Sequence, residues 1–270
     1  MGRSHALSGW CAGLVVAPLV GLTSLTEVAP FAAAAAGYAL LPDLDHPGAS
    51  ASRLLGPITG LVSGVVRLTS AALYALTKGP RDENGSGKHR HASHTVAAAL
   101  LFGSLAAGAA TSGGRWAVFA VAMFGLVLAA DVLGDWLLAV VAGAGLWTAA
   151  GNRLPGSSAA AAVQAGLDDI GSWIGVAVAL GIFVHCLGDS LTRSGCPWLW
   201  PLPIRGETWY EIRLPRGLRF RTGGPVEQFV VAPALVAAGV LLLPGALPIA
   251  QEMFIAIWSS TSEAATRWHP

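Results

Sequence analysis

Histidines and aspartates are concentrated beside the ends of apolar stretches in this 270-residue chain. Six of the seven histidines lie there, and the remaining one, His269, is in the C-terminal tail. Imidazole nitrogens and carboxylate oxygens from separate segments are the ligands that zinc and similar divalent metals take in proteins. The pattern therefore predicts a metal site built from helix ends. The residues concerned are His5, Asp43, Asp45, His46, His89, His91, His94, Asp131, Asp135, His185, Asp189 and Glu227.

The pentapeptide Pro42–His46 directly follows an apolar stretch. Proline lacks an amide hydrogen and its ring clashes with the preceding turn, so Pro42 predicts the end of a helix. If the segment is extended, Asp43 and Asp45 face the same way. Two carboxylates beside the imidazole of His46 would form the oxygen-rich half of a metal site. The alternative is an ordinary polar helix C-terminus.

A histidine-rich segment, His89–His94, precedes the next apolar stretch. His94 is nearest the predicted helix start and is the candidate ligand. Arg90 can bind a substrate phosphate or carboxylate through paired hydrogen bonds. Alternatively, the segment is a basic connector that anchors the chain at the membrane interface. For His91 alone we favour this anchoring role.

His185 and Asp189 are four residues apart at the end of a later apolar stretch. On a helix this spacing places both side chains on one face, where they can bind one metal ion. The alternative is a hydrogen-bonded pair that closes a helix end. His5, which precedes the first apolar stretch, is either a ligand or an interfacial histidine. Asp131 and Asp135 either orient imidazoles or belong to a simple interhelical turn.

The composition places the chain in a lipid bilayer. Hydrophobic residues make up 54%, charged residues 11%, and the mean hydropathy is +0.60, whereas soluble domains carry about a quarter charged residues. Basic residues lie in connecting segments rather than along one helical face, so no nucleic-acid partner is expected. Three cysteines without a CxxC pair indicate neither a disulfide framework nor a cysteine-rich zinc site.

The apolar stretches predict an all-α fold, a polytopic transmembrane helical bundle. A helix needs about 20 apolar residues to cross a bilayer. Leu54–Leu76 is long enough, but Arg67 and several glycines interrupt it, so we predict a re-entrant or interfacial helix there. The predicted spans are Ala6–Leu25, Val28–Leu41, Thr95–Ala110, Trp116–Ala130, Trp136–Ala150, Ile170–Leu187 and Val226–Leu243.

Short cytoplasmic loops collect lysine and arginine. Two connectors are rich in them, residues 78–90 and residues 193–221. Placing both in the cytoplasm, with Leu54–Leu76 not crossing, puts the histidines and aspartates together at the cytoplasmic edge. We therefore expect one membrane-embedded helical domain, residues 1–270, that includes a cytoplasmic basic loop, residues 189–224.

The histidine and aspartate motifs described above, taken in their order along the chain, resemble those of a known family. This is the YdjM-like family of bacterial inner-membrane proteins, which are described as metal-dependent hydrolases. The resemblance extends from the N-terminus to about Pro201, and it implies a multi-pass inner-membrane enzyme with the matched histidines and aspartates as metal ligands. The chain departs from the family at His91, where a glycine is common, and in its long connector before His89. The matching residues are His5, Pro42-Asp43-Leu44-Asp45-His46, His89-Arg90 with Ser93-His94, and His185-Cys186-Leu187-Gly188-Asp189 leading through Thr192 and Gly195 to Trp200-Pro201.

These observations predict a membrane-bound hydrolase that uses a divalent metal, zinc in our interpretation. Zinc lowers the pKa of bound water towards about 7, Asp43 or Asp45 would be the general base, and Arg90 would bind substrate. The membrane edge favours an ester or phosphoester of a lipid or another amphiphile. The predicted metal ligands are His5, Asp45, His46, His94, His185 and Asp189.

Two other functions fit the same sequence. Aspartates and histidines within a membrane also form proton or ion pathways, as in transporters. A structural membrane protein could instead use its Arg213–Arg221 loop to bind anionic lipids or a soluble partner.

Overall fold

The fold was obtained as a computed structural model, which describes residues 1–54, 56–151, 159–249 and 251–252. His269 lies outside the described residues. Helices dominate the described part, and its β-bridges are isolated pairs that form no strand. The predicted all-α bundle is confirmed. The α-helices are α1 (Gly2–Val16), α2 (Leu25–Tyr38), α3 (Pro57–Thr77), α4 (Val96–Ser112), α5 (Gly114–Leu133), α6 (Trp136–Gly151), α7 (Ala159–Ser190) and α8 (Ala232–Leu241).

Helix α2 forms the centre of the bundle. Small residues let its neighbours approach closely, as is common between membrane helices. A Cβ atom added to Gly37 would lie 1.8 Å from the carbonyl oxygen of Gly125 on α5, and one added to Gly181 on α7 would lie 2.5 Å from the carbonyl oxygen of Ala35. Helix α1 makes a similar approach through Gly13. Three helices therefore pack directly against the α2 backbone, which leads straight into the Pro42–His46 motif.

Four segments in the described part of the chain are long and apolar enough to cross a membrane: Leu25–Asp45, Pro57–Thr77, Gly114–Leu133 and Ala161–Ser190. The largest differences between predicted and observed helix boundaries are at the end of α1 and the start of α7. Helix α1 gives way to a 3₁₀ turn at Ala17–Val20 that ends on the left-handed Gly21 (φ 87°). Helix α7 begins well before the predicted Ile170, because its alanine-rich first turns favour a helix.

Helix α3 presents an apolar face outwards and a polar face to the protein. Leu61 and Leu68 are exposed, at 71% and 69%. On the other face, the Ser70 hydroxyl donates to the carbonyl of Gly87 (2.6 Å) and accepts from the amide of Ala92 (3.1 Å). This helix therefore holds the histidine-rich segment in place. Its interfacial or re-entrant position stays a prediction.

The two basic connectors lie together at one end of the bundle. The amide of Trp209 donates to Asp82 (2.9 Å), and the thiol of Cys196 donates to the carbonyl of His94 (2.9 Å). The segment after α7 is folded back on itself by bridges such as Cys196 with Ile212. We name residues 190–221 the cap, since they cover the end of α7 and the start of α4. Assignment of this end to the cytoplasm stays a prediction.

We expect Ser86→Cys and Arg216→Cys to react with a membrane-impermeant maleimide from the same side of the membrane, because both exposed positions belong to the two joined connectors. Labelling of right-side-out and inverted vesicles measures this. Ser112→Cys, exposed at the far end of α4, is the control and should react from the other side. Labelling of positions 86 and 216 from opposite sides would contradict the arrangement.

Candidate metal centre

Three separated parts of the chain bring four buried side chains to one point at the capped end of the bundle. His5 comes from the first turns of α1, His94 from the 3₁₀ turn Ala92–His94, and His185 and Asp189 from the end of α7. Their side chains are almost completely buried, with exposures of 2%, 0%, 0% and 1%. The sequence predicted all four as ligands.

The carboxylate of Asp189 lies at the centre of the group. Its Oδ1 is 3.5 Å from Nε2 of His5, and its Oδ2 is 3.6 Å from Nε2 of His94 and 3.7 Å from Nε2 of His185. The rings of His5 and His185 stack at 3.9 Å. Helical spacing thus places His185 and Asp189 together, as predicted.

Several of these polar atoms lack a hydrogen-bond partner among the described residues. They are Nε2 of His94, Nε2 of His185 and both carboxylate oxygens of Asp189. Buried polar atoms are nearly always bonded, and leaving one unsatisfied costs about 1–3 kcal/mol. All four atoms are electron-pair donors if each imidazole carries its proton on Nδ1. Such a set fits a cation.

The hydrogen bonds on the Nδ1 side of the rings select that tautomer for neutral imidazoles. His185 Nδ1 lies 2.7 Å from the carbonyl oxygen of Ala39, which can only accept, so Nδ1 must donate. The Ser93 hydroxyl donates to Asp45 (2.9 Å), so its oxygen is left to accept from Nδ1 of His94 (3.0 Å). Carbonyls and carboxylates behind the imidazole are the usual arrangement for metal-binding histidines. In the neutral form of each ring, the lone pair is therefore on Nε2, the atom that would bind the metal.

Asp45 supports this arrangement from behind. One of its oxygens pairs with Nδ1 of His89 at 2.5 Å, and the other accepts from the amide of Arg90 at 3.0 Å and from Ser93. Asp45, His89 and His94 are close enough together to hold an ion. The hydrogen bonds already occupy both oxygens of Asp45, however, so its described role is to orient the histidine-rich segment.

The Pro42–His46 motif folds differently from our expectation. Residues Pro42–Asp45 form a 3₁₀ turn rather than an extended segment, because a proline is well suited to the first position of a helical turn. Asp43 and Asp45 therefore do not face the same way. Asp43 is 22% exposed, with Oδ1 4.0 Å from Nε2 of His185. His46 is exposed, its Nδ1 accepts from the amide of Gly48 (3.1 Å), and it belongs to none of the clustered groups.

A family model described as YdjM inner membrane protein matches residues 1–147 and 136–246. The chain belongs to this family. The matched regions contain every predicted ligand. Neither the solved structures nor the curated proteins include a match to the chain.

In this YdjM family member, Arg90 reaches the centre through a left-handed backbone. Its φ is 58°, a conformation that costs a non-glycine residue energy and that here accompanies the hydrogen bond of its amide to Asp45. Its Nη2 lies 3.2 Å from Oδ1 of Asp189, while Nη1 is buried without a partner among the described residues. Arg90 thus forms an ion pair with Asp189 and keeps one further N–H group next to the centre.

The other polar residues singled out in the sequence lie elsewhere. His91 contacts Tyr74 and Trp209 instead of the centre, and burial lowers the pKa of its imidazole. Asp131 and Asp135 are exposed. Glu227 is buried and accepts from the hydroxyl of Ser4 (2.7 Å) and the amide of Gly223 (2.7 Å).

Sequence reasoning missed the roles of His89, Ser93 and the carbonyl of Ala39. The position of Ser93 directly before His94 is a signal that could have indicated a hydrogen-bonding role. His89 carries no such signal, because its partner Asp45 is 44 residues away. The role of the Ala39 carbonyl could not be predicted from residue types, because every residue has a backbone carbonyl.

Replacing Asp45 with asparagine is expected to weaken metal binding by about 10–100-fold, as loss of an outer hydrogen-bond partner usually does. Asparagine keeps the shape of the side chain, but its NH₂ group replaces one carboxylate oxygen. That group would then face the Arg90 amide or the other groups that donate hydrogen bonds to Asp45. Competition with a chromophoric chelator measures the affinity. The control is Asp131→Asn, a change at an exposed carboxylate. Equal affinities for the two variants would contradict the supporting role of Asp45.

Proposed function

We propose that this protein is a metal-dependent hydrolase of the bacterial inner membrane, with zinc held by His5, His94, His185 and Asp189. The proposal rests on the Nε2 atoms of His94 and His185 and the oxygens of Asp189, which have no hydrogen-bond partner among the described residues. Arg90 compensates part of the charge of the buried Asp189 through an ion pair at 3.2 Å, and a bound cation would compensate the rest. Three imidazoles and one carboxylate are a donor set that zinc accepts. Among the described residues, His5, His185 and Asp189 form one group close enough to hold an ion, and His94 belongs to an overlapping group with His185 and Asp43; the proposed set combines the two.

A zinc ion bound there would supply a Lewis acid that makes water nucleophilic near neutral pH. The general base in this proposal is Asp43. Its carboxylate is partly exposed, lies beside His185, and makes no hydrogen bond within the described part of the chain. A base needs this access to water. Asp45, the other candidate base in the sequence, is fully buried and both of its oxygens accept hydrogen bonds, so it positions the other groups.

The substrate class follows from Arg90. Its buried Nη1 is free to donate beside the centre, and guanidinium groups bind phosphate oxygens strongly. A phosphoryl group offers one non-bridging oxygen to the centre and another to Arg90, whereas the carbonyl of a carboxylic ester offers a single oxygen. A phosphoester is therefore favoured. The position of the centre at the end of an apolar bundle favours an amphiphilic substrate.

The test is elemental analysis of detergent-purified protein combined with hydrolysis assays. We expect bound zinc, loss of activity after chelation, and recovery on adding zinc, with cleavage of a short-chain phospholipid phosphoester faster than that of p-nitrophenyl acetate. Undiminished hydrolysis by metal-free protein would refute the proposal.

Arg90→Ala should lower kcat/KM for the phosphoester by about 10–100-fold, since a hydrogen bond to a charged group contributes about 1.5–3 kcal/mol. Arg90→Lys should recover part of the loss because it keeps the charge. The matched control is Arg221→Ala, at an exposed arginine. Equal activity of the two alanine variants would exclude Arg90 from substrate binding.

A further inference from the structure

A cavity of about 260 Å³ lies between residues 47–53 and the first turns of α3. It is separate from the candidate metal centre, since none of the four proposed ligands lines it. Serines, arginines and glycines make up most of its wall, and the described residues that line it include no carboxylate. The lining residues that matter are Arg53, Gly60, Ser63, Gly64 and Arg67.

Two arginines make the cavity positive. Arg53 is exposed and donates to the carbonyl oxygen of Gly48 (3.0 Å), which leaves most of its N–H groups available. Arg67 is half-buried, and within the described part of the chain it has neither an ion pair nor a side-chain hydrogen bond. A charged side chain on a helix in contact with lipid usually has a partner or a function. Both arginines are therefore able to bind an anion.

A buried hydroxyl faces the same cavity. Ser63 is 4% exposed, lines the cavity, and makes no side-chain hydrogen bond to any described residue. Buried polar groups in proteins are nearly always hydrogen-bonded. Ser63 also precedes Arg67 by four residues, which places both side chains on one face of α3. The hydroxyl is thus a second donor beside the guanidinium group.

Two glycines leave space next to these donors. A Cβ atom added to Gly60 or to Gly64 would meet nothing within 4 Å. Glycine destabilises a helix relative to alanine, and neither glycine serves a close contact with another described part of the chain. The backbone of α3 is therefore open to a ligand at both positions.

We infer that this cavity binds a phosphate group. Guanidinium groups bind phosphate through paired, charge-assisted hydrogen bonds, and the Ser63 hydroxyl adds a neutral donor. A carboxylate has two oxygens in one plane, whereas a tetrahedral phosphate directs oxygens towards both walls of the cavity. A metal cation would be repelled by the two arginines.

A phospholipid is the favoured source of the phosphate. The outward face of α3 carries exposed apolar side chains, Leu61 at 71% and Leu68 at 69%, so acyl chains can lie along the helix that lines the cavity. Basic residues at a membrane surface also attract anionic headgroups. The inference does not depend on the proposed function, because Arg90 and the candidate metal centre lie outside this cavity.

The test compares dihexanoylphosphatidate with dihexanoylglycerol, which has the same acyl chains and no phosphate. Calorimetry uses the full chain in an uncharged maltoside detergent with a chelator present. The phosphatidate should bind at least about tenfold more tightly, the factor expected from one hydrogen bond to a charged group. Equal affinities would overturn the inference. Arg90→Ala should bind the phosphatidate as tightly as the unchanged protein, and loss of binding in that variant would place the phosphate at the metal centre instead.

Conservative variants identify the cavity. Arg67→Gln removes the charge and should weaken phosphatidate binding by about tenfold or more, and Ser63→Ala should weaken it by about 3–10-fold. Binding of dihexanoylglycerol should not change, which shows that the variants are folded. Arg216→Gln, at an exposed arginine outside the cavity, is the control. Unchanged phosphatidate binding in both variants would also overturn the inference.

Inorganic phosphate distinguishes the source. Weaker binding of inorganic phosphate than of the phosphatidate would support a lipid, and equal or tighter binding would support a free phosphate ion. Glycines also let membrane helices approach closely, so absence of phosphate binding together with a dimer that Gly60→Leu dissociates would overturn the inference in favour of a second copy of the chain. Phosphatidate binding without zinc-dependent hydrolysis would refute only the proposed function.

Discussion

Replacing His185 with alanine is expected to remove the bound metal while leaving the helical bundle assembled. Within the described part of the chain, its Nε2 is buried without a hydrogen-bond partner, and His185 belongs to two of the three groups able to hold an ion. Loss of a direct ligand should weaken affinity by more than the about 10–100-fold seen for loss of an outer partner. Elemental analysis measures the metal, and circular dichroism in detergent monitors the helices.

The matched control is His46→Ala. This histidine belongs to another family motif, Pro42–His46, and was also predicted as a ligand, yet it is exposed and lies outside the groups of described residues that are able to hold an ion. It should keep its metal. Asp189→Asn should behave like His185→Ala, because the oxygens of Asp189 lie 3.5–3.7 Å from the Nε2 atoms of His5, His94 and His185. Full metal occupancy in the variants at positions 185 and 189 would show that the pair only closes the end of α7.

Replacing Gly37 with alanine is expected to destabilise the whole bundle. The new Cβ would lie 1.8 Å from the carbonyl oxygen of Gly125 and 2.5 Å from its carbonyl carbon, so two helix backbones must separate. Overpacking a core usually costs about 1–3 kcal/mol, and a clash between backbones should cost at least the upper part of that range. Thermal unfolding in detergent measures the loss, and metal content should fall too because α2 leads into Asp43 and Asp45.

The control is Gly108→Ala on α4, where an added Cβ meets nothing within 4 Å. Alanine is favoured over glycine inside a helix by about 0.5–1 kcal/mol, so this change should leave stability unchanged or raise it slightly. The two substitutions are chemically identical and differ only in their surroundings. Equal melting temperatures for both variants would contradict the close contact between α2 and α5.

The sequence alone was sufficient for the membrane bundle, since a run of apolar residues is a local property that determines where helices enter lipid. The pairing of His185 with Asp189 was predictable for a similar reason: four-residue spacing places side chains on one face of any α-helix. The choice of His5 and His94 followed from their positions at helix ends and from the family motifs.

The tertiary structure determines which of these side chains lie at the centre, which hydrogen-bond to their neighbours and which are exposed to solvent. The 3₁₀ turn at Pro42 rotates Asp43 away from Asp45, and packing against the histidine-rich segment buries Asp45 among donors while His46 stays in solvent. The left-handed backbone of Arg90 and the hydrogen bond from His185 to Ala39 likewise depend on partners far along the chain. Residue types identify groups that are able to bind a metal. Which of their atoms remain unpartnered is determined by contacts between distant segments, and no local pattern records those contacts.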